Sequence, residues 1–296
     1  MSKFKGDLIL ILAAFVYGSG LVAQSEGNAL GPWTYSSLRF LLGAIVLIPV
    51  VLITQKRKPE EVKKKELTFK QILPGCFIVA LDLVLMVITQ QNGLIYTTVG
   101  KAGFITSLYV VGVPLVGVLI FRRRIPKHVL LAAVIAVIGF YFVSLTEGIG
   151  DINRGDLLML ISSLTCVVFV YLMEYFAPKA DASMVTMMQF AFTGLMCLPG
   201  ALIFEDTTIS MIADNLGAVL YGGIGICAMG YTLQMIGQKF VPPERASIIL
   251  SLESIFSLLS GMVILNEMLS IREYIGCALI FVAVILSEIR GKNDER

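Results

Sequence analysis

Two stretches decide the fold when set side by side: KAGFITSLYVVGVPLVGVLIF, Lys101 to Phe121, and RASIILSLESIFSLLSGMVIL, Arg245 to Leu265. Each is apolar enough to live in lipid and long enough to cross it as a helix. They align without a gap at an offset of 144 residues, Lys101 against Arg245. The same offset pairs Gln90 with Gln234 and Gly93 with Gly237. Further toward the N-terminus, GDLILIL at Gly6 matches GDLLMLI at Gly155, and SLRFLLGAIVLIP, ending at Pro49, matches MMQFAFTGLMCLP, ending at Pro199. A chain that repeats itself over half its length is built from two similar units.

Composition places those units in a membrane. The chain has 296 residues, of which 57% are hydrophobic and only 15% charged, with a mean hydropathy of +0.86. Too little polar surface remains to cover a soluble domain of this size. About 20 helical residues span a bilayer core. On that template ten spans are expected, near 7–24, 33–54, 71–92, 97–121, 128–145, 155–177, 182–204, 215–238, 243–265 and 271–289. The expected fold class is therefore all-α integral membrane, ten transmembrane helices in two repeats, 1–145 and 146–296. Five spans per unit is odd, so the second unit enters the bilayer in the opposite sense. Inverted repeats of this kind mark secondary transporters, with the substrate site near the midplane.

Charge is distributed unevenly along the chain. QKRKPEEVKKKELTFK, Gln55 to Lys70, and RRRIPK, Arg122 to Lys127, are basic, while the turns near Glu26, near Glu147 and Asp151, and near Glu205, Asp206 and Asp214 hold few cations. The positive-inside rule puts both termini and both basic loops in the cytoplasm of a multi-pass plasma (inner) membrane protein. A net charge of +2 gives no reason to expect nucleic acid. Five cysteines stand singly in apolar runs and there is one histidine, so no metal or other cofactor is expected. GIGD, Gly148 to Asp151, spells an intramembrane aspartyl-protease pattern but falls in a polar turn, and no other catalytic motif appears, so an enzyme is not expected.

The chain resembles the EamA-like transporters of the drug/metabolite transporter superfamily. The resemblance rests on VYGSGLVAQ in the first span, SLRFLLGA in the second and KAGFITSLYVVGVPL in the fourth. It continues in GYTLQMIGQKFVPPERASIILSLESIFSLLSG over the eighth and ninth spans, and in NEMLSIREYIGCALIFVAVIL after them. It implies a central cavity lined by helices 1–4 and 6–9, with helices 5 and 10 at the periphery. Small metabolites such as amino acids are the implied substrates. Tyr17 stands where the family's first-span motif has tryptophan.

Polar groups inside apolar spans are costly and mark candidate sites. Glu253, Ser257 and Ser260 share one face of the ninth helix, while Ser247, Ser251, Ser254 and Gly261 form a small-residue seam on another. Glu253 is either a binding or proton-cycling carboxylate or a permanently paired or protonated structural acid that holds the halves in register, and its repeat mate is Tyr109. Arg39 either snorkels to the outer headgroups or attracts a substrate carboxylate with its guanidinium fork. Asp82 is expected in the cavity, and Gln90 and Gln234 either there or bonding neighbouring helices. Tyr17, Tyr109 and Tyr171 offer rings and hydroxyls for a cavity wall. The expected substrate-binding set is thus Glu253, Asp82, Tyr109, Arg39, Tyr17, Gln90, Gln234 and Ser257. The expected function is secondary active export of small polar metabolites such as amino acids, with proton coupling as a hypothesis. The alternative is a non-transporting membrane scaffold or sensor.

Overall fold

A computed structural model of the chain describes residues 3–63, 66–97, 104–144, 152–264 and 270–288. Lys101 and the GIGD stretch lie outside them, as do the side chains of Glu26 and Ser257. Among the described residues the chain is helical, with no strand. In order come α1 (Lys3–Gly27), α2 (Pro32–Arg57), α3 (Phe69–Tyr96), α4 (Phe104–Leu119) and α5 (Lys127–Ser144). These are followed by α6 (Arg154–Phe176), α7 (Ala182–Phe204), α8 (Leu216–Gln238), α9 (Pro243–Leu250 and Leu252–Ile264, interrupted at Ser251) and α10 (Ile271–Glu288).

Five of them, α2, α3, α6, α7 and α8, are long and apolar enough to cross a membrane among the described residues, and α4 and α5 are shorter apolar helices. The protein is therefore multi-pass. Leu202, Ile203, Phe204 and Leu119 are each more than 70% exposed, which water would penalise and lipid tails accept.

Polar residues at the helix ends supply the hydrogen bonds that the apolar runs cannot. Asn153 Oδ1 accepts from the Asp156 amide at 3.0 Å while Asp156 Oδ2 accepts from the Asn153 amide at 2.9 Å, a reciprocal box that starts α6. Asp181 Oδ1 accepts from the Met184 amide at 3.1 Å and starts α7. For α2 the cap comes from far along the chain: Glu205 accepts from the Trp33 and Thr34 amides at 2.9 and 2.7 Å. Gly31 makes room for that carboxylate, since its φ is +85° and an added Cβ would meet the Glu205 carboxyl.

The caps of α6 and α2 mark one end of the bundle, while Asp181 and the basic segments mark the other. Lys58 bonds Glu66 and Asp181, both at 2.6 Å, joining the end of α2 to the start of α7. Arg123 pairs with Glu174 at 2.7 Å and Glu244 at 3.4 Å, joining the ends of α4 and α6 to the start of α9. Arg245 reaches Asp7 at 3.6 Å. Glu174, near the end of α6, sits within this network.

Helix packing follows a pattern that the sequence offsets anticipate. α2 lies along α7 and α5 along α10, while α1 packs on α8 and α9, and α3 on α6 and α7. Two close approaches repeat residue for residue. An added Cβ on Gly237 would meet Leu10 Cγ at 2.6 Å and the Gly6 carbonyl at 3.3 Å; one on Gly93 would meet Met159 Cε at 2.8 Å and the Gly155 carbonyl at 3.2 Å. Gly6 and Gly155, Leu10 and Met159, Gly237 and Gly93 are the residues that the sequence repeat pairs. Small residues let helix backbones touch where apolar side chains would hold them apart. Gly139 and Gly276 serve α5 and α10 the same way, each lying within 2.9 Å of the other's carbonyl once a Cβ is placed.

Candidate functional site

Between α1, α2, α3, α4, α6, α8 and α9 lies an internal cavity of about 140 Å³. Six of the eight residues picked from the sequence line it: Tyr17, Arg39, Gln90, Tyr109, Gln234 and Glu253. At about 30 Å³ per water it holds four or five waters or one small polar molecule.

Arg39 is 4% exposed on the buried face of α2. The snorkelling expectation therefore fails: the guanidinium points into the cavity, flanked by the Tyr35 and Phe40 rings, each centroid 5.0 Å from Cζ. Gly222 of α8 keeps that wall thin, since a Cβ there would meet the Tyr35 hydroxyl at 2.8 Å. Nε of Arg39 is buried without a hydrogen-bond partner, and no described carboxylate pairs with it. The ring faces compensate part of the charge, as cation–π contacts do. Glu253, in the first turn after the interruption at Ser251, likewise makes no hydrogen bond or ion pair with another described residue. One cavity thus presents a cation and a carboxylate that do not satisfy each other.

The rest of the wall mixes polar and aromatic side chains with aliphatic ones such as Val87, Ile226 and Leu250. The Tyr17 hydroxyl donates to Gln234 Oε1 at 2.8 Å. Gln234 Nε2 donates to Gln238 Oε1 at 3.4 Å, and Gln238 Nε2 to the Val170 carbonyl at 3.2 Å. Gln234 accordingly does both things foreseen for it, bonding helices and facing the cavity. Tyr231, which its sequence context did not mark as a site residue, is the aromatic hub: its ring lies 5.4 Å from Tyr17, 5.5 Å from Phe169 and 5.2 Å from Phe190. Its position three residues before Gln234, on the same helix face, was the available signal. Thr106 and Cys166 also line the cavity and carried no such signal.

Of the expected set, Asp82 lies elsewhere, and the side chain of Ser257 is outside the described residues. Asp82 is on the same face of α3 as Met86 and Gln90, but the cavity ends at Met86, one turn away, and Asp82 Oδ2 is buried without a partner. Tyr171 bonds the Val113 carbonyl at 2.7 Å, nearer the basic end. Ser260 returns its hydroxyl to the Phe256 carbonyl at 2.8 Å. Gln91 is fully buried, and Asn92 bonds the Ile88 carbonyl of its own helix at 2.8 Å.

A bundle of apolar helices around a cavity with polar and charged residues in its wall fits a membrane transport protein, and the comparisons with known proteins agree. The EamA-like transporter family matches residues 4–145 and again 153–289, so the chain belongs to that family, one of transporters and not of enzymes. An uncharacterized transporter of Archaeoglobus fulgidus is 27% identical over 98% of this chain and 88% of its own length. The uncharacterized transporter YetK of Bacillus subtilis is 24% identical over 100% of this chain and 90% of its own. A further uncharacterized transporter, of Clostridium kluyveri, is 24% identical over 98% and 94%. A solved crystal structure superimposes with a TM-score of 0.80 over 97% of both chains at 18% identity, a likeness of fold.

Proposed function

We propose that this chain is a secondary active exporter of small zwitterionic metabolites, amino acids above all, with Arg39 binding the carboxylate and Glu253 the ammonium. The observation that carries this reading is the pairing of opposite charges in one small cavity without an ion pair between them. A zwitterion satisfies both groups at once, and a guanidinium fork suits a carboxylate. Gln90, Gln234, Tyr17 and Tyr109 supply further donors and acceptors around it.

Alternating access arises from two inverted five-helix halves, 1–145 and 146–296, in a bundle of ten spans. The mirrored Gly6–Gly237 and Gly155–Gly93 contacts support this relation, each joining one half to the other. With the basic end in the cytoplasm of the plasma membrane, both termini are inside. The contact of Gly6 and Gly237 then closes the inner side and that of Gly93 and Gly155 the outer. Glu253 is the group through which proton movement is coupled, exchanging its proton for the substrate ammonium. Counterflow into liposomes with a panel of labelled amino acids is the test. Accumulation of at least one amino acid, lost on unloading the trans side, is expected; accumulation of none of them sinks the substrate class.

A further inference from the structure

A second cavity, about 990 Å³, opens at the side of the bundle between α4 and α6 and is closed toward the core by the end of α8. Its upper wall is apolar: Val116, Ile120, Leu164, Val168 and Leu172 line it, and Leu164 and Val168 are 60% and 50% exposed. At its lower end, on the basic face of the bundle, stand Arg123, Lys179 and Lys239. The acids there are already engaged, Glu66 and Asp181 by Lys58, and Glu174 and Glu244 by Arg123. Lys179 and Lys239 have no carboxylate partner among the described residues. Lys179 rests its ammonium 3.2 Å from the Tyr175 ring centre, and Lys239 donates to the Ala180 carbonyl at 3.2 Å. Burial pushes the Lys239 ammonium below its usual lysine range despite Glu66 and Asp181 nearby. Exposed Arg122 and Arg124 add to the positive field at the mouth.

We infer that this groove is a binding site for an anionic phospholipid of the inner leaflet, with acyl chains along Val116, Leu164 and Val168 and the phosphate at Lys179 and Lys239. An apolar channel ending in unpaired cations is complementary to an amphiphile with an anionic head, and to neither a neutral lipid nor a soluble anion. Placing it in the inner leaflet rests on the orientation proposed above. The cytoplasmic leaflet is the anionic one, and each lysine near it contributes about 1 kcal/mol, so losing both weakens binding about 30-fold.

The test places a reporter in the groove. Val168→Trp, in a Trp33→Phe background, is reconstituted with phosphatidylglycerol or phosphatidylcholine carrying brominated chains, and tryptophan quenching is followed against lipid fraction. Brominated phosphatidylglycerol is expected to quench at a far lower fraction than brominated phosphatidylcholine. Lys179→Gln with Lys239→Gln removes that preference. Inorganic phosphate leaves the quenching unchanged; its displacement of the lipid overturns the proposal in favour of a soluble anion. Equal quenching by both lipids, or an unchanged preference in the double variant, overturns it as well. Native mass spectrometry of the unsubstituted chain, titrated with the same two lipids, gives the preference without the reporter.

Discussion

Replacing Arg39 with methionine separates binding from folding. A buried guanidinium without a carboxylate is a liability to the folded state; a comparable uncompensated charge costs about 3–5 kcal/mol. Its two aromatic flanks, Tyr35 and Phe40 at 5.0 Å, return about 0.5–2 kcal/mol each. Methionine keeps most of the apolar stem's volume, so Arg39→Met is expected to hold or raise stability by about 1–3 kcal/mol, a shift of a few degrees in thermal unfolding. Binding moves the other way. A bidentate contact to a substrate carboxylate comprises two charge-assisted hydrogen bonds of about 1.5–3 kcal/mol each, so affinity falls at least about 100-fold. The assay is thermal unfolding in detergent with and without the amino acid accumulated in counterflow. The expected pattern is an unchanged or higher midpoint in the free protein, with the ligand-induced rise abolished. A midpoint several degrees below the parent would refute the reasoning, because Arg39 would then be holding the fold. An undiminished ligand shift would refute it equally.

Three further outcomes follow from other parts of the structure. Glu253→Gln keeps the cavity's shape but removes its exchangeable proton and the charge that meets the substrate ammonium; transport driven by a pH gradient stops and exchange between equal pH compartments weakens, and full pH-driven uptake would exclude coupling at this residue. Gly155→Ala sets a Cβ 2.7 Å from the Gly93 carbonyl, a backbone atom, and is expected to lower stability by about 1–3 kcal/mol. Gly93→Ala meets first the free end of Met159 and costs less, a ranking that parallel thermal melts check. Lys58→Ala strands Glu66 and Asp181 and costs about 1–2 kcal/mol, discounted for the 19% exposure of the Lys58 side chain. Burial alone would lower the Lys58 pKa, but the hydrogen bonds to Asp181 and Glu66 outweigh it and hold the ammonium above its usual 10.5. That contribution is full below the usual lysine value and is lost as pH rises through the raised one. The gap between parent and variant should stay flat from about pH 6 to 9 and close above that range.

Helical character, the apolar runs and the intramembrane polar groups were legible in the residues, because lipid tolerates few unpaired polar atoms and so makes each one conspicuous. Arg39, Glu253 and Gln234 stood out for that reason and share a cavity. Depth along a face was not legible. Asp82 shares a face with Gln90, yet one helical turn decides that Gln90 meets the cavity and Asp82 does not. Nor was the direction of Arg39's long side chain, which depended on aromatic rings of its own helix and a glycine of α8. Nor did Tyr231 stand out, because its importance comes from three rings on other helices. The lateral groove was hidden too, since it exists only where α4 and α6 diverge in space.

The paired glycine contacts bear on the energetics of the working cycle. If opening on one side parts Gly6 from Gly237 and opening on the other parts Gly93 from Gly155, the backbone terms nearly cancel between the two open forms. What remains is the departure from symmetry: stiff, branched Leu10 bears on Gly237, and pliant Met159 bears on Gly93. The resting posture of the molecule then hangs on small inequalities of this sort. A leucine and methionine exchanged between positions 10 and 159 would tip the balance toward the opposite face without touching any residue that meets the cargo.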